Sequence, residues 1–84
     1  MHTKIFIKVP LAKLKKGNKT YSLYQNGNSF DICLTDHKKK FWIRDLCPNQ
    51  NLSLLFLQRI FHHDASAIHL QDLAEDFLVE IYGL

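Results

Sequence analysis

Through the first half of this chain apolar and polar side chains alternate with a period of two, and at Pro48 the alternation stops. Successive side chains of a strand point to opposite faces, so this pattern builds a sheet with a buried face rather than an amphipathic helix. Ile5, Ile7 and Val9 alternate with Lys4, Phe6 and Lys8. Pro10 closes that run, because it has no amide to donate to a ladder. Leu11 to Asn18 reads as a basic connection punctuated by Gly17. A second run, Thr20 to Gln25, reaches Asn26-Gly27-Asn28, where Asn-Gly supplies the positive φ of a tight hairpin turn. Phe30, Ile32 and Leu34 then alternate with Asp31, Cys33 and Thr35. After Asp36-His37-Lys38-Lys39, Phe41 and Ile43 fall on one side and Trp42 and Arg44 on the other. The expectation is an antiparallel meander of about four strands.

Beyond Pro48 the period changes. Asn49 or Asn51 can cap a helix, since a short side-chain acceptor satisfies the orphan amides of a first turn. From Leu52 to Phe61 only Ser53, Gln58 and Arg59 are polar. An arc that wide is wider than one small sheet covers, so part of Leu54, Phe56 and Leu57 is expected to stay exposed for a partner or a second copy. Asp64-Ala65-Ser66 breaks the pattern, and Ser66 can cap a second helix containing Ile68, Leu70, Leu73 and Ala74. Residues 77–82 read two ways. Leu70, Leu73, Phe77 and Ile81 make a helical stripe, whereas Phe77, Val79 and Ile81 suit a strand, and the aromatic and β-branched content favours a closing strand. The fold class expected is therefore α+β, a small antiparallel meander packed with two helices.

Eighty-four residues allow one domain, spanning 1–84, in which only about 60–65% of the unfolded surface can be buried. An apolar fraction of 46% excludes intrinsic disorder, and no apolar run approaches the roughly 20 residues of a membrane span. The start lacks the features of a signal peptide, which points to a cytoplasmic protein. Cys33 and Cys47, without a second pair, are expected as two reduced thiols. Three scattered glycines cannot form a phosphate loop. His62, His63, Asp64 and His69 have no metal-ligand spacing and suit a helix C-terminus instead, where cations complement the dipole. Nothing in the sequence sets a base beside Cys47, and a lone Cys is more often packing. No catalytic residue, metal or cofactor is assigned, and no small-molecule substrate is implied.

Charge is the stronger signal. Residues 1–45 hold ten basic side chains against Asp31, Asp36 and Asp45, a balance of +7, while the remainder carries Arg59 against five acids, a balance of −4. A field divided in this way bears on partners rather than on fold. In a meander the first and third connections share one end of the sheet, so Lys13, Lys15, Lys16 and Lys19 should converge with Lys38, Lys39 and Lys40. Such a cluster can engage phosphates, with Tyr21, Tyr24, Phe41 and Trp42 available for stacking, or it can simply keep strand edges unpaired. Phe6, Tyr24 and Trp42 fall on the face opposite the core set Ile5, Ile32 and Ile43, an aromatic patch that needs a cover.

Three stretches carry a resemblance. Ala12-Lys13-Leu14-Lys15-Lys16-Gly17-Asn18-Lys19-Thr20-Tyr21-Ser22-Leu23-Tyr24 is similar to a "G-x-L, then Gly, then F-x-Y" segment between early strands. Phe41-Trp42-Ile43-Arg44-Asp45-Leu46-Cys47-Pro48-Asn49 is similar to an "FF..LLPE/D" segment before a helix with an Arg near its end, here Arg59. Leu70-Gln71-Asp72-Leu73 followed by 77–84 is similar to a short helix running into a final strand. Together, over about residues 9–84, they resemble HipS-like proteins, the stand-alone counterpart of the N-terminal subdomain of HipA-type toxin kinases. Ala12 replaces that pattern's Gly, and Leu46-Cys47-Pro48 its "LLP".

The resemblance implies a non-enzymatic companion of a HipT-like Ser/Thr kinase and a helix-turn-helix DNA-binding protein in a toxin–antitoxin complex, associated with DNA only indirectly. The partner-binding residues expected are Trp42, Phe41, Phe6, Tyr24, Leu54, Phe56 and Leu57. Two alternatives remain open: a small basic nucleic-acid-binding protein, or a phage- or plasmid-type inhibitor of a host enzyme.

Overall fold

A computed structural model describes residues 9–83. Four strands, β1 (Ala12–Lys16), β2 (Lys19–Asn26), β3 (Ser29–Asp36) and β4 (Lys39–Ile43), form one antiparallel sheet in sequence order. Two helices follow, α1 (Gln50–His62) and α2 (Ala67–Tyr82), giving an α+β fold. Three of the four strands, β2 to β4, are those the alternation predicts; the first is not the expected run. Leu11 to Asn18 is no connection: Ala12 and Leu14 pair with Leu23 and Tyr21, so this lysine-rich stretch is edge strand β1. Its period-two pattern is hidden because the outward residues are lysines, which suit an unpaired edge. The run around Ile5 and Ile7 and the candidate contact Phe6 lie outside the described residues, and Val9 is exposed.

Each connection between strands is two residues long. Asn26 pairs with Ser29, so the middle turn is Gly27-Asn28, and Gly27 carries the positive φ of 61°. His37 and Lys38 between β3 and β4 both sit in the left-handed region, at φ 50° and 70°, which matches the twist of the flanking strands but suits neither side chain.

The core lies between one sheet face and the helices. Tyr21, Leu23, Phe30, Ile32, Leu34 and Ile43 meet Phe56, Leu57 and Ile60 of α1 and Leu70, Ala74 and Phe77 of α2. The side chain of Asn49 accepts from the Leu52 amide at 2.9 Å and starts α1. Ser53, Phe56, Leu57 and Ile60 follow at helical spacing and are all buried. Phe56 and Leu57 are therefore core, against the expectation that they wait for a partner. The sequence arc is too wide for the sheet alone, but α2 covers its second side, with the Phe56 and Phe77 rings 5.1 Å apart. Leu54 is half-buried, and the outward leucine of α1 is Leu55.

The expected closing strand is instead the last turns of α2. Leu70, Ala74 and Phe77 are buried on one stripe with Ile81 packed beside them, whereas Val79, which a strand would place with Phe77 and Ile81, is 50% exposed. Gly83 ends the helix at φ 68°, its amide donating to the Val79 carbonyl. At the junction of the helices Tyr21 Oη donates to the Ala65 carbonyl at 2.7 Å, tying the turn between α1 and α2 to the centre of the sheet.

Candidate binding site

Strand parity and register lay out the sheet face turned away from the helices, the outer face, as rows. Nearest the turns at 17–18 and 37–38 comes Lys15–Thr20–Thr35–Lys40, and next Lys13–Ser22–Cys33–Trp42. Beyond them Tyr24 pairs with Asp31, and Arg44 follows the end of β4. Small buried side chains, Ser22 and Cys33, form the floor; lysines stand at both edges. Burial pushes the Cys33 thiol up, opposed by its contact with Thr35 and by the nearby charges of Lys40 and Arg44. A thiol held in its neutral form is a poor nucleophile.

Tyr24 and Trp42 meet on this face as their parity predicts, ring centroids 5.3 Å apart. The Arg44 guanidinium lies 4.1 Å from the Trp42 ring centre and donates to Asp31 Oδ2 at 3.1 Å. Asp31 is fully buried, and its other oxygen accepts the Asp45 amide at 2.9 Å. A buried carboxylate thus holds an arginine, and the arginine covers a half-exposed tryptophan. Sequence reasoning missed this chain of contacts, although an Asp inside the apolar run Phe30–Leu34 is the signal that a partner had to exist. Phe41 is not part of the cluster. It pairs with Leu34 on the helix side of the sheet and is exposed at the β4 edge.

The seven lysines divide. The first and third turns do share one end of the sheet, since Lys16 pairs with Lys19, Lys19 with Asp36 and Asp36 with Lys39, and the His37 amide donates to the Asn18 carbonyl. Lys16 and Lys19, however, point to the helix side. Lys16 Nζ donates to the Phe61 carbonyl at 2.8 Å, and Lys19 Nζ reaches the Asp64 carbonyl and carboxylate at 3.3 Å. Both cations satisfy carbonyls at and just beyond the C-terminus of α1, where the helix dipole favours them. Among the described residues Lys13, Lys15, Lys38, Lys39 and Lys40 have no carboxylate within ion-pair distance.

A concavity of about 450 Å³ lies between the helices. Its lining includes Phe56, Leu73 and Phe77, with His63, Asp64 and His69 at one part and Arg59 bridging to Glu80 at 2.8 Å at another. His62, His63, Asp64 and His69 do not assemble as one ligand group: His62 does not line this cleft, and among the described residues no three His, Cys, Asp or Glu side chains gather as a metal site. Cys33 and Cys47 are unpaired and buried, and Cys47 Sγ lies 3.2 Å from Ser53 Oγ. No helix among the described residues is long and apolar enough to cross a membrane. No family model, curated protein or solved structure matches the chain.

Proposed function

We propose that this chain is a non-enzymatic binding subunit of a toxin–antitoxin system that contacts and restrains a HipT-like Ser/Thr kinase. The observation that carries the reading is the Asp31–Arg44–Trp42–Tyr24 chain of contacts. Trp42 and Arg44 belong to residue types that dominate interface energetics, and here both are held by contacts within the chain, which lowers the entropy lost on binding. The stretch Phe41–Asn49, which bears part of the resemblance to HipS-like proteins, supplies Trp42, Arg44 and the cap of α1. The order of four strands followed by helices suits the same reading, whereas the helical 77–82 departs from the final strand it implies. A helix-turn-helix DNA-binding partner and a cytoplasmic location belong to the proposal.

The test is calorimetric titration of the protein into a catalytically inactive HipT-like kinase encoded beside it. One-to-one binding is expected, with Trp42→Ala weakening it about 30-fold, roughly 2 kcal/mol, while the circular dichroism spectrum is unchanged. Absence of binding, or equal binding by the variant, rejects the reading.

A further inference from the structure

The turn end of the sheet carries a basic surface that adjoins the Trp42–Arg44 cluster and whose argument does not need the kinase reading. We propose that it binds the sugar–phosphate backbone of single-stranded nucleic acid. A pocket of about 420 Å³ opens between the two neighbouring turns, lined by Lys15, Gly17, Asn18, Thr20, His37 and Lys38. Every group in it is a cation, a hydrogen-bonding side chain or glycine backbone, and none is acidic. Asp36, the nearest carboxylate on β3, is engaged by His37 Nδ1 and lies on the helix side with Lys39.

The cations are set out in a geometric pattern. Lys13 and Lys15 share a face two residues apart on β1, a repeat of about 7 Å. Lys15 and Lys40 close the two edges of one row, about 14 Å apart across three strand spacings, with the hydroxyls of Thr20 and Thr35 between them. Lys38, at the turn, extends the positive edge toward the pocket. A concavity of this size between two hairpin turns can seat a single phosphodiester backbone. The same face continues to Arg44, whose side chain is 54% exposed over Trp42, so a base on a strand leaving the pocket has a guanidinium plane, held in place by the Trp42 ring, to stack against. The exposed acids of α2, Asp72, Glu75, Asp76 and Glu80, belong to the opposite layer and repel a polyanion, which restricts it to the sheet side. Lys16 and Lys19, committed to the end of α1, are excluded from the site.

The experiment is fluorescence anisotropy of a labelled 12-nucleotide oligothymidylate over a salt series, using the protein and its Lys15→Ala/Lys38→Ala/Lys40→Ala variant. The wild type should bind, and the slope of log K against log salt should flatten by about 2 in the variant, three phosphate contacts at about 0.7 each. Arginine at the same three positions should restore the slope, which separates lost charge from lost folding. Trp42→Ala should keep the slope and lower affinity at every salt concentration. Absence of oligothymidylate binding at 50 mM salt overturns the proposal. So does an unchanged slope in the alanine variant. Equal or tighter binding of a duplex, of heparin or of an oligoglutamate peptide also overturns it, because the surface would then be a general or protein-directed basic patch.

Discussion

At the scale of single residues, buried polar groups fix the arrangement because burial leaves them few partners. Tyr21 is the clearest case. Its ring is core, its hydroxyl donates to Ala65, and burial, aided by the charges of Asp64 and Asp36, pushes its pKa up to about 12. The folded protein therefore keeps this proton where the unfolded chain, near 10, has lost it. The stabilisation is complete below pH 10 and is lost as pH rises through 10 toward 12. Denaturant midpoints measured from pH 9 to 11.5 should fall, and Tyr21→Phe should show a smaller fall over that window. At pH 7 the same substitution should cost about 1–2 kcal/mol by orphaning the Ala65 carbonyl. The sequence marked Tyr21 as a stacking candidate because Tyr has two faces to its chemistry; which one is used depends on a residue 44 positions away, beyond any local pattern.

Among the elements, those defined by a local period were readable and those defined by a distant cover were not. β2, β3 and β4 follow their alternation, and Asn49 caps α1 as its side chain suggests. β1 was hidden because lysines on an edge strand look like a loop. Residues 77–82 satisfy both periods, and only the burial of Leu70, Ala74 and Phe77 together decides for the helix. Of the expected contact residues, Trp42 and Tyr24 meet on the outer face while Phe56 and Leu57 are core, because parity is visible in one strand and the cover over α1 is not. The turn between β3 and β4 carries a testable strain. With both His37 and Lys38 left-handed, Lys38→Gly should stabilise the protein by about 1 kcal/mol in denaturant unfolding, since glycine adopts that φ without its steric cost. The same substitution should weaken oligothymidylate binding, so stability and binding are predicted to move in opposite directions.

For the whole molecule, charge follows layer. Among the described residues Lys13, Lys15, Lys38, Lys39 and Lys40 sit on or beside the sheet and four acids sit on α2, so the division seen along the chain becomes a division across the fold. Two of the seven clustered lysines bridge the layers and serve the helix end instead. This is why counting charges located the basic end but overstated its size.

The two-residue turns have a consequence for how the molecule comes into being. Every strand pairs with its neighbour in sequence, so the sheet can close hairpin by hairpin, each on a timescale of about 1–10 μs. The helical layer is different, since Tyr21 and Ala65 must find each other across 44 residues. Short loops are closed early because they lose little chain entropy, and the long-range docking comes after. In stopped-flow experiments Leu57→Ala should cost about 3 kcal/mol and show it mainly as faster unfolding. Gly27→Ala, strained at the middle turn, should show its smaller cost mainly as slower folding. On this view the helices arrive last on a scaffold already formed, and they are the first part of the molecule to leave it.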